Sequence, residues 1–273
     1  MKKVLQNPLA LIGFVIIAGI LFLALIAPLI APYDPDAINV KAILLSPTAN
    51  HLMGTDGLGR DVFTRMLYGS RISLMVGFVA VGIATAIGII LGAIAGFYRG
   101  WVDTVIMRVV DVMLSIPTFF LILAVIAFLT PSIWNIMIVI GLTSWMGVTR
   151  LVRAEFLSLR NREFVLAAQA LGAKDARLIF THLLPNSLTP IIVSSILGIA
   201  SAVLVESGLS FLGLGVQAPQ ASWGNILTDG KEYIQFAWWL SLFPGLAILI
   251  TVLGYNLLGD GLRDAYNPRT SQH

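Results

Sequence analysis

The sequence predicts an all-α integral membrane protein with six transmembrane helices, and three observations lead there. Hydrophobic residues make up 58% of the 273-residue chain and charged residues only 11%, whereas a soluble domain carries about 25% charged residues. Six apolar runs, each near the length a bilayer requires, follow one another along the chain. A polar, basic stretch at 150–186 interrupts them between the fourth and fifth runs, and it carries helical periodicity of its own.

The first run, 9–31, follows Lys2 and Lys3. It is too long for a signal-peptide core of about 7–15 residues, so it reads as an uncleaved first span. The prolines at 32, 35 and 47 make the first half of the following segment, 32–71, irregular. Its second half, 59–71, has the pattern of an amphipathic helix leading into the second span, 72–97. There Gly88, Gly92 and Gly96 put glycine on one face every fourth residue, a spacing that lets a neighbouring helix approach closely. Further spans are expected at 105–129, 133–149, 187–215 and 237–258. The chain thus divides into an amino-terminal span with its external segment (1–71), a main transmembrane unit (72–265) and a short tail (266–273).

Orientation follows from the Lys/Arg bias. With the amino terminus inside, the cytoplasm holds Lys2, Lys3, Arg99, Arg108, the basic residues of 150–186, Arg263 and Arg269. Only Lys41, Arg60, Arg65, Arg71 and Lys231 then lie outside. The positive-inside rule favours this arrangement, with both termini cytoplasmic and the 150–186 loop beside them.

In that loop Phe164, Ala167, Ala168 and Leu171 follow an i, i+3, i+4, i+7 helical spacing. After Gly172, the residues Ala176, Ile179, Phe180 and Leu183 repeat it. Two amphipathic helices broken by a glycine form a handle for a partner protein. An interfacial helix on anionic lipid is the simpler alternative, and Arg150, Arg153, Arg160 and Arg162 suit it.

The residues argue against an enzyme. The three histidines, His51, His182 and His273, are far apart and form no H-E-x-x-H pair, and no phosphate-binding G-x-x-x-x-G-K-[ST] loop exists. Without cysteine there are no disulfides or thiolate sites, and nothing in the charge pattern points to nucleic acid. Two acidic residues remain as polar candidates. Glu206 lies within the fifth span, where a charge must face protein or water; it either lines a pathway or bonds a neighbouring helix. Asp111 sits near the start of the third span and is expected to pair locally with Arg108.

Several motifs carry a family resemblance. Ala167, Ala168, Gly172, Leu184 and Pro185 match the cytoplasmic-loop pattern of permease subunits in binding-protein-dependent ABC importers, with Leu166 where that family often has glutamate and His182 where it often has isoleucine. The block from His51 to Asp61, with Tyr68 to Leu74 after it, resembles the C-type permease of dipeptide, oligopeptide and nickel importers. The motifs at 209–215, Trp223-Gly224 and 259–264 resemble further parts of that family. The resemblance covers nearly the whole chain.

It implies a transport subunit of a bacterial or archaeal plasma membrane that forms half of a translocation pathway. A related permease would be its partner in a heterodimer, with two cytoplasmic ATPases and an external substrate-binding protein. ATP and magnesium would be bound by the ATPases, and this chain would need no metal or cofactor of its own. The coupling residues would be Glu163, Ala167, Ala168, Gly172, Ala173, Asp175, His182, Leu184 and Pro185. Peptides are the expected cargo, with nickel or another small solute as the alternative. A self-sufficient ion-coupled transporter using Glu206, or a membrane scaffold without flux, are the readings from other classes.

Overall fold

A computed structural model of the chain describes residues 7–266. Among these, helices are joined by turns and by one long irregular segment between Ile30 and Val62, with one isolated bridge between Thr55 and Asp61. Five helical segments are long and apolar enough to cross a membrane, or six if a pair bent at a short break counts as one span. The tail lies outside the described residues from 267 onward, as do Lys2, Lys3, Arg269 and His273.

α1 (Pro8–Ile30) is capped by the Asn7 side chain, which accepts from the backbone N–H groups of Leu9 and Ala10. A cap of irregular chain follows and ends at Asp61, whose carboxylate accepts from Thr64 N and starts α2 (Val62–Tyr98). This one helix runs 37 residues, about 55 Å at 1.5 Å per residue. The separate external helix expected at 59–71 is therefore the first turns of the second span, and the division drawn at 71 falls inside a continuous helix. Once Asp61 supplies the cap, nothing at residue 71 breaks the backbone.

Arg99 and Gly100, both at positive φ (59° and 57°), reverse the chain into α3 (Gly100–Ser115). The expected third span is broken. Pro117 separates α3 from α4 (Thr118–Ile126), and the two axes differ by 82°. Proline lacks the N–H that would continue the helix and pushes the preceding residue out of the helical region. α5 (Ile133–Leu142) and α6 (Trp145–Leu159) together make the fourth span, which is longer than expected.

α7 (Glu163–Ala170) is a short helix of its own. α8 (Asp175–Arg177) is not: it passes through a π-helical turn, Leu178–Leu183, directly into α9 (Leu184–Phe211). The second amphipathic helix expected after Gly172 is thus the near end of the fifth span. The wide turn sits where Pro185 has no N–H to offer Thr181, so regular α-helical bonding cannot be completed there. α10 (Trp223–Lys231) opens with a reciprocal capping box between Ser222 and Asn225, and α11 (Trp239–Tyr266) completes the bundle.

α2 is the central element. Gly88, Gly92 and Gly96 lie against α6: a Cβ on them would stand 2.5 Å from Val148 Cβ, 2.6 Å from Thr149 O and 2.7 Å from Phe156 Cβ. The other face of α2 packs on α9, where a Cβ on Gly77 would meet Ile199 at 2.9 Å. One end of the bundle, the cap end, carries 32–61 and α10. The other, the handle end, carries α7.

Candidate functional site

The handle is built on a buried base. Val165, Leu178 and Leu183 are almost fully buried with Phe97, Val152 and Phe156 of α2 and α6, and Ala168, Ala173, Ile179 and Leu184 pack around them. Burying each of the three aliphatic side chains is worth about 1.5–3 kcal/mol, enough to make the handle one piece with the bundle. Arg160 adds a tie: its Nη1 donates to Phe97 O at 2.5 Å, and its guanidinium lies 5.5 Å from the Phe97 ring centre.

Gly172 terminates α7 at φ 78°. Its N–H donates to Gln169 O (3.0 Å) and the N–H of Ala173 donates to Ala168 O (3.1 Å). This pair of bonds is the Schellman cap, which needs a left-handed residue where glycine stands. Glu163 and Asp175 are exposed in the first turns of α7 and α8, where the helix dipole favours a negative charge. His182 is half-buried, and its carbonyl accepts from Asn186 Nδ2 at 2.6 Å. Pro185 is exposed.

The periodic face drawn from the sequence is divided: Leu183 is fully buried with Ala168 and Ile179 packed beside it, and the rest of it points outward. Leu171 is 89% exposed and Phe180 68%, while Phe164, Leu166 and Ala167 are exposed beside them. On α7 the fully buried residue is Val165, which the periodic spacing did not include. A short helix with apolar residues all round gives no sequence signal for which face is covered.

Near the cap end, Glu206 is completely buried. Ser210 Oγ and Ser222 Oγ donate to its Oε1 at 2.7 and 2.9 Å, and Ser73 Oγ donates to Oε2 at 3.4 Å. Ser73 Oγ also accepts from Trp223 N (3.2 Å), and Trp223 Nε1 donates to Met66 O. One carboxyl therefore joins α2, α9 and the start of α10. It lies five residues from the end of α9, not at the middle of a span. Ser210, one helical turn on, is the only partner that spacing could have indicated; Ser73 and Ser222 reach it from distant parts of the chain.

Asp111 does not pair with Arg108. It accepts from Arg150 Nη2 at 2.5 Å, while two turns earlier on α3 Asp103 takes a two-pronged contact from Arg153 (2.5 and 2.6 Å). Both arginines lie on α6, so these pairs hold α3 against the fourth span. The cap end has its own charge cluster, which the sequence reading did not single out. Asp56 accepts from Arg60 N and from Arg60 Nε (2.6 Å), Arg60 Nη2 reaches Asp229 at 3.1 Å, and Arg65, 2% exposed, lies 3.7 Å from Asp56. Burial pushes the Asp229 carboxyl above its ordinary range, against the pull of Arg60 and Arg65.

Comparison with known proteins supplies the family. Residues 88–272 match the family described as the binding-protein-dependent transport system inner membrane component. The chain belongs to this family. Residues 1–47 match the N-terminal transmembrane domain of oligopeptide transport permease C. The dipeptide transport system permease protein DppC of Alkalihalophilus pseudofirmus is 47% identical, over 98% of this chain and 88% of that protein. The probable D,D-dipeptide transport system permease protein DdpC of Escherichia coli is 44% identical over 96% of this chain and 88% of its own length. The oligopeptide permease OppC of Bacillus subtilis is 39% identical over 98% and 88%.

The fold is also that of a solved importer. An inward-facing MetNI methionine ABC transporter chain superposes with a TM-score of 0.61 at 17% identity, covering 73% of this chain and 95% of that one. Membership makes the chain a multi-pass protein of the bacterial inner membrane. It is a transport subunit, not an enzyme; ATP hydrolysis belongs to separate ATPase subunits, and a substrate-binding protein belongs to the same system.

Proposed function

We propose that this chain is one half of the translocation pathway of an ATP-driven peptide importer. Relatives named for dipeptides, D,D-dipeptides and oligopeptides support peptides as the cargo. The observation that carries the reading is the handle, a short helix anchored beneath by Val165, Leu178 and Leu183 that holds Phe164, Leu166, Leu171 and Phe180 out to solvent. An apolar helix face of this kind fits a groove on a partner. In this reading the handle end is cytoplasmic, both termini lie inside, and each of two ATPases docks on the handle of one permease. A related permease completes the heterodimer, and the cap end receives the external binding protein.

Coupling requires that the handle contacts differ between the ATP-bound and ATP-free states, because a partner biases an equilibrium only by its differential affinity. The residues from Glu163 to Ala173 present the docking surface. The stretch from Asp175 through His182, Leu184 and Pro185 is continuous with α9, so a push on the handle travels along the fifth span. Glu206, held by three hydroxyls and joined to no relay, acts as an interhelix tie, and Asp111 as a surface ion pair.

Mild-detergent purification of the tagged protein from its native membrane tests this, with partners identified by mass spectrometry. A sister permease and two ATPases are the expected companions. Recovery of the chain alone, under conditions that preserve a known complex, would overturn the reading.

A further inference from the structure

At the cap end of α2 a cavity of about 500 Å³ opens between that helix, Asp36 of the cap and the Gln220-Ala221 segment that leads into α10. Sites for small organic ligands span about 300–1,000 Å³, so one short peptide fits. The lining combines opposite charges, Arg71 and Asp36, with the polar groups of Tyr68 and Gln220 and an apolar floor of Ile72 and Met75. A zwitterion with a side chain needs these groups: a cation for its carboxylate, an anion for its ammonium, and apolar surface between them.

The charges are available. Arg60 and Arg65 at the same end are both engaged by carboxylates, whereas Arg71 is exposed and meets no hydrogen-bond or ion-pair partner among the described residues. Asp36 is half-exposed and touches only a long contact, 3.7 Å from Arg65 Nη1. A free guanidinium offers the planar fork that matches a carboxylate.

The walls are also fixed. Ser73, two residues beyond Arg71, and Ser222, two residues beyond Gln220, both donate to the buried Glu206, and Trp223 N closes the same knot. The two sides of the cavity are thereby set relative to each other before anything binds, which lowers the ordering cost of binding.

We propose that this cavity is an outer reception site for a short peptide, with Arg71 holding its terminal carboxylate and Asp36 its terminal ammonium. The inference rests on the peptide-importer reading, and it adds a point in the membrane subunit where the released solute is held.

The test uses the complete importer in proteoliposomes with a saturating supply of binding protein loaded with a radiolabelled dipeptide. Arg71→Ala should lower maximal uptake about tenfold, the size of one lost charge-assisted hydrogen bond. The KM for the binding protein should stay unchanged and the complex should remain assembled, while Arg71→Lys, which keeps the charge but not the fork, should restore the rate only in part. A photo-crosslinking residue at position 220 should capture the labelled dipeptide, and Arg71→Ala should abolish the capture. Full maximal uptake in Arg71→Ala would overturn the proposal. So would a raised KM for the binding protein, which would make Arg71 a docking contact, or loss of the sister subunit, which would make it an assembly contact. A wild-type importer that takes up no peptide would instead overturn the peptide-importer reading, and this site with it.

Discussion

Replacing Glu206 by alanine should unfasten three helices at once. The carboxyl accepts from Ser210, Ser222 and Ser73 while fully buried. Each hydroxyl left without an acceptor in such a place costs about 1–3 kcal/mol. Ser73 and Ser210 lie on helices and can turn to the carbonyl one turn back, as Ser207 does toward Val203 O at 2.8 Å, so the lower figure applies to them. Ser222 caps α10 and has no such carbonyl. Three hydroxyls, with the cavity left by the side chain, give about 3–5 kcal/mol. At about 2–4 °C per kcal/mol for a chain of this size, the melting midpoint in detergent should fall by roughly 6–20 °C. Glu206→Gln keeps an acceptor oxygen, so about 1 kcal/mol is the expected loss. Fluorescence-detected size-exclusion melting of wild type, Glu206→Gln and Glu206→Ala measures this. An alanine variant that melts within about 2 °C of wild type, on the same scale, would refute the reasoning, as would a glutamine variant as unstable as alanine.

Other perturbations sort the remaining features. Gly172→Leu places a side chain at φ 78° in open space and should cost about 1–2 kcal/mol locally; the protein should insert and assemble, yet uptake in vesicles should be uncoupled from ATP hydrolysis, and normal uptake would count against the handle. Gly92→Leu drives atoms into Thr149 O and Val152, 2.6 and 2.7 Å from the new Cβ, and should lower the melting midpoint sharply, whereas Gly19→Ala, which meets nothing within 4 Å, should leave it unchanged. Asp56→Asn removes the buried charge facing Arg60 and Arg65 and should destabilise by about 3 kcal/mol, the low end for a broken buried pair, because Arg60 keeps Asp229. Asp229→Asn should shift stability by less than about 1 kcal/mol at neutral pH, because Asp229 is 41% exposed and solvent screens its pair. The sign is set by its raised pKa: the protonated form is favoured in the fold, so this carboxyl's contribution is lost as pH rises through that value and is absent in the asparagine variant. Melting curves across pH for Asp229→Asn beside wild type check it.

Much of the bundle was legible because a bilayer imposes its length on the sequence. Residues 9–31 and 237–258 announce α1 and α11 by apolarity alone. The Gly172-to-Pro185 spacing marked the handle because both residues act locally, one as a left-handed cap and the other as a missing N–H. Long-range choices were not legible. Asp111 had Arg108 one turn away, yet Arg150 on α6 reaches it, since packing of α3 against the fourth span decides which charges meet. The Glu206 partners Ser73 and Ser222 join only when α2 and α10 converge. The break at Pro117 was missed because the apolar run 105–129 continues through it, and the angle it produces depends on what the two halves pack against. Which apolar residues of the handle are covered was not legible, because Val165 and Leu171 are both apolar and only the fold buries one and exposes the other.

The most direct measurement is peptide uptake by the reconstituted importer, with wild type beside a Leu171→Asp, Phe180→Asp double variant. ATP-dependent uptake is expected in wild type. The double variant should lose both uptake and the co-purified ATPases while retaining the sister permease and a normal melting midpoint. Uptake driven by a pH gradient without ATPases, or a double variant that transports normally, would contradict the assignment of the handle as the ATPase dock.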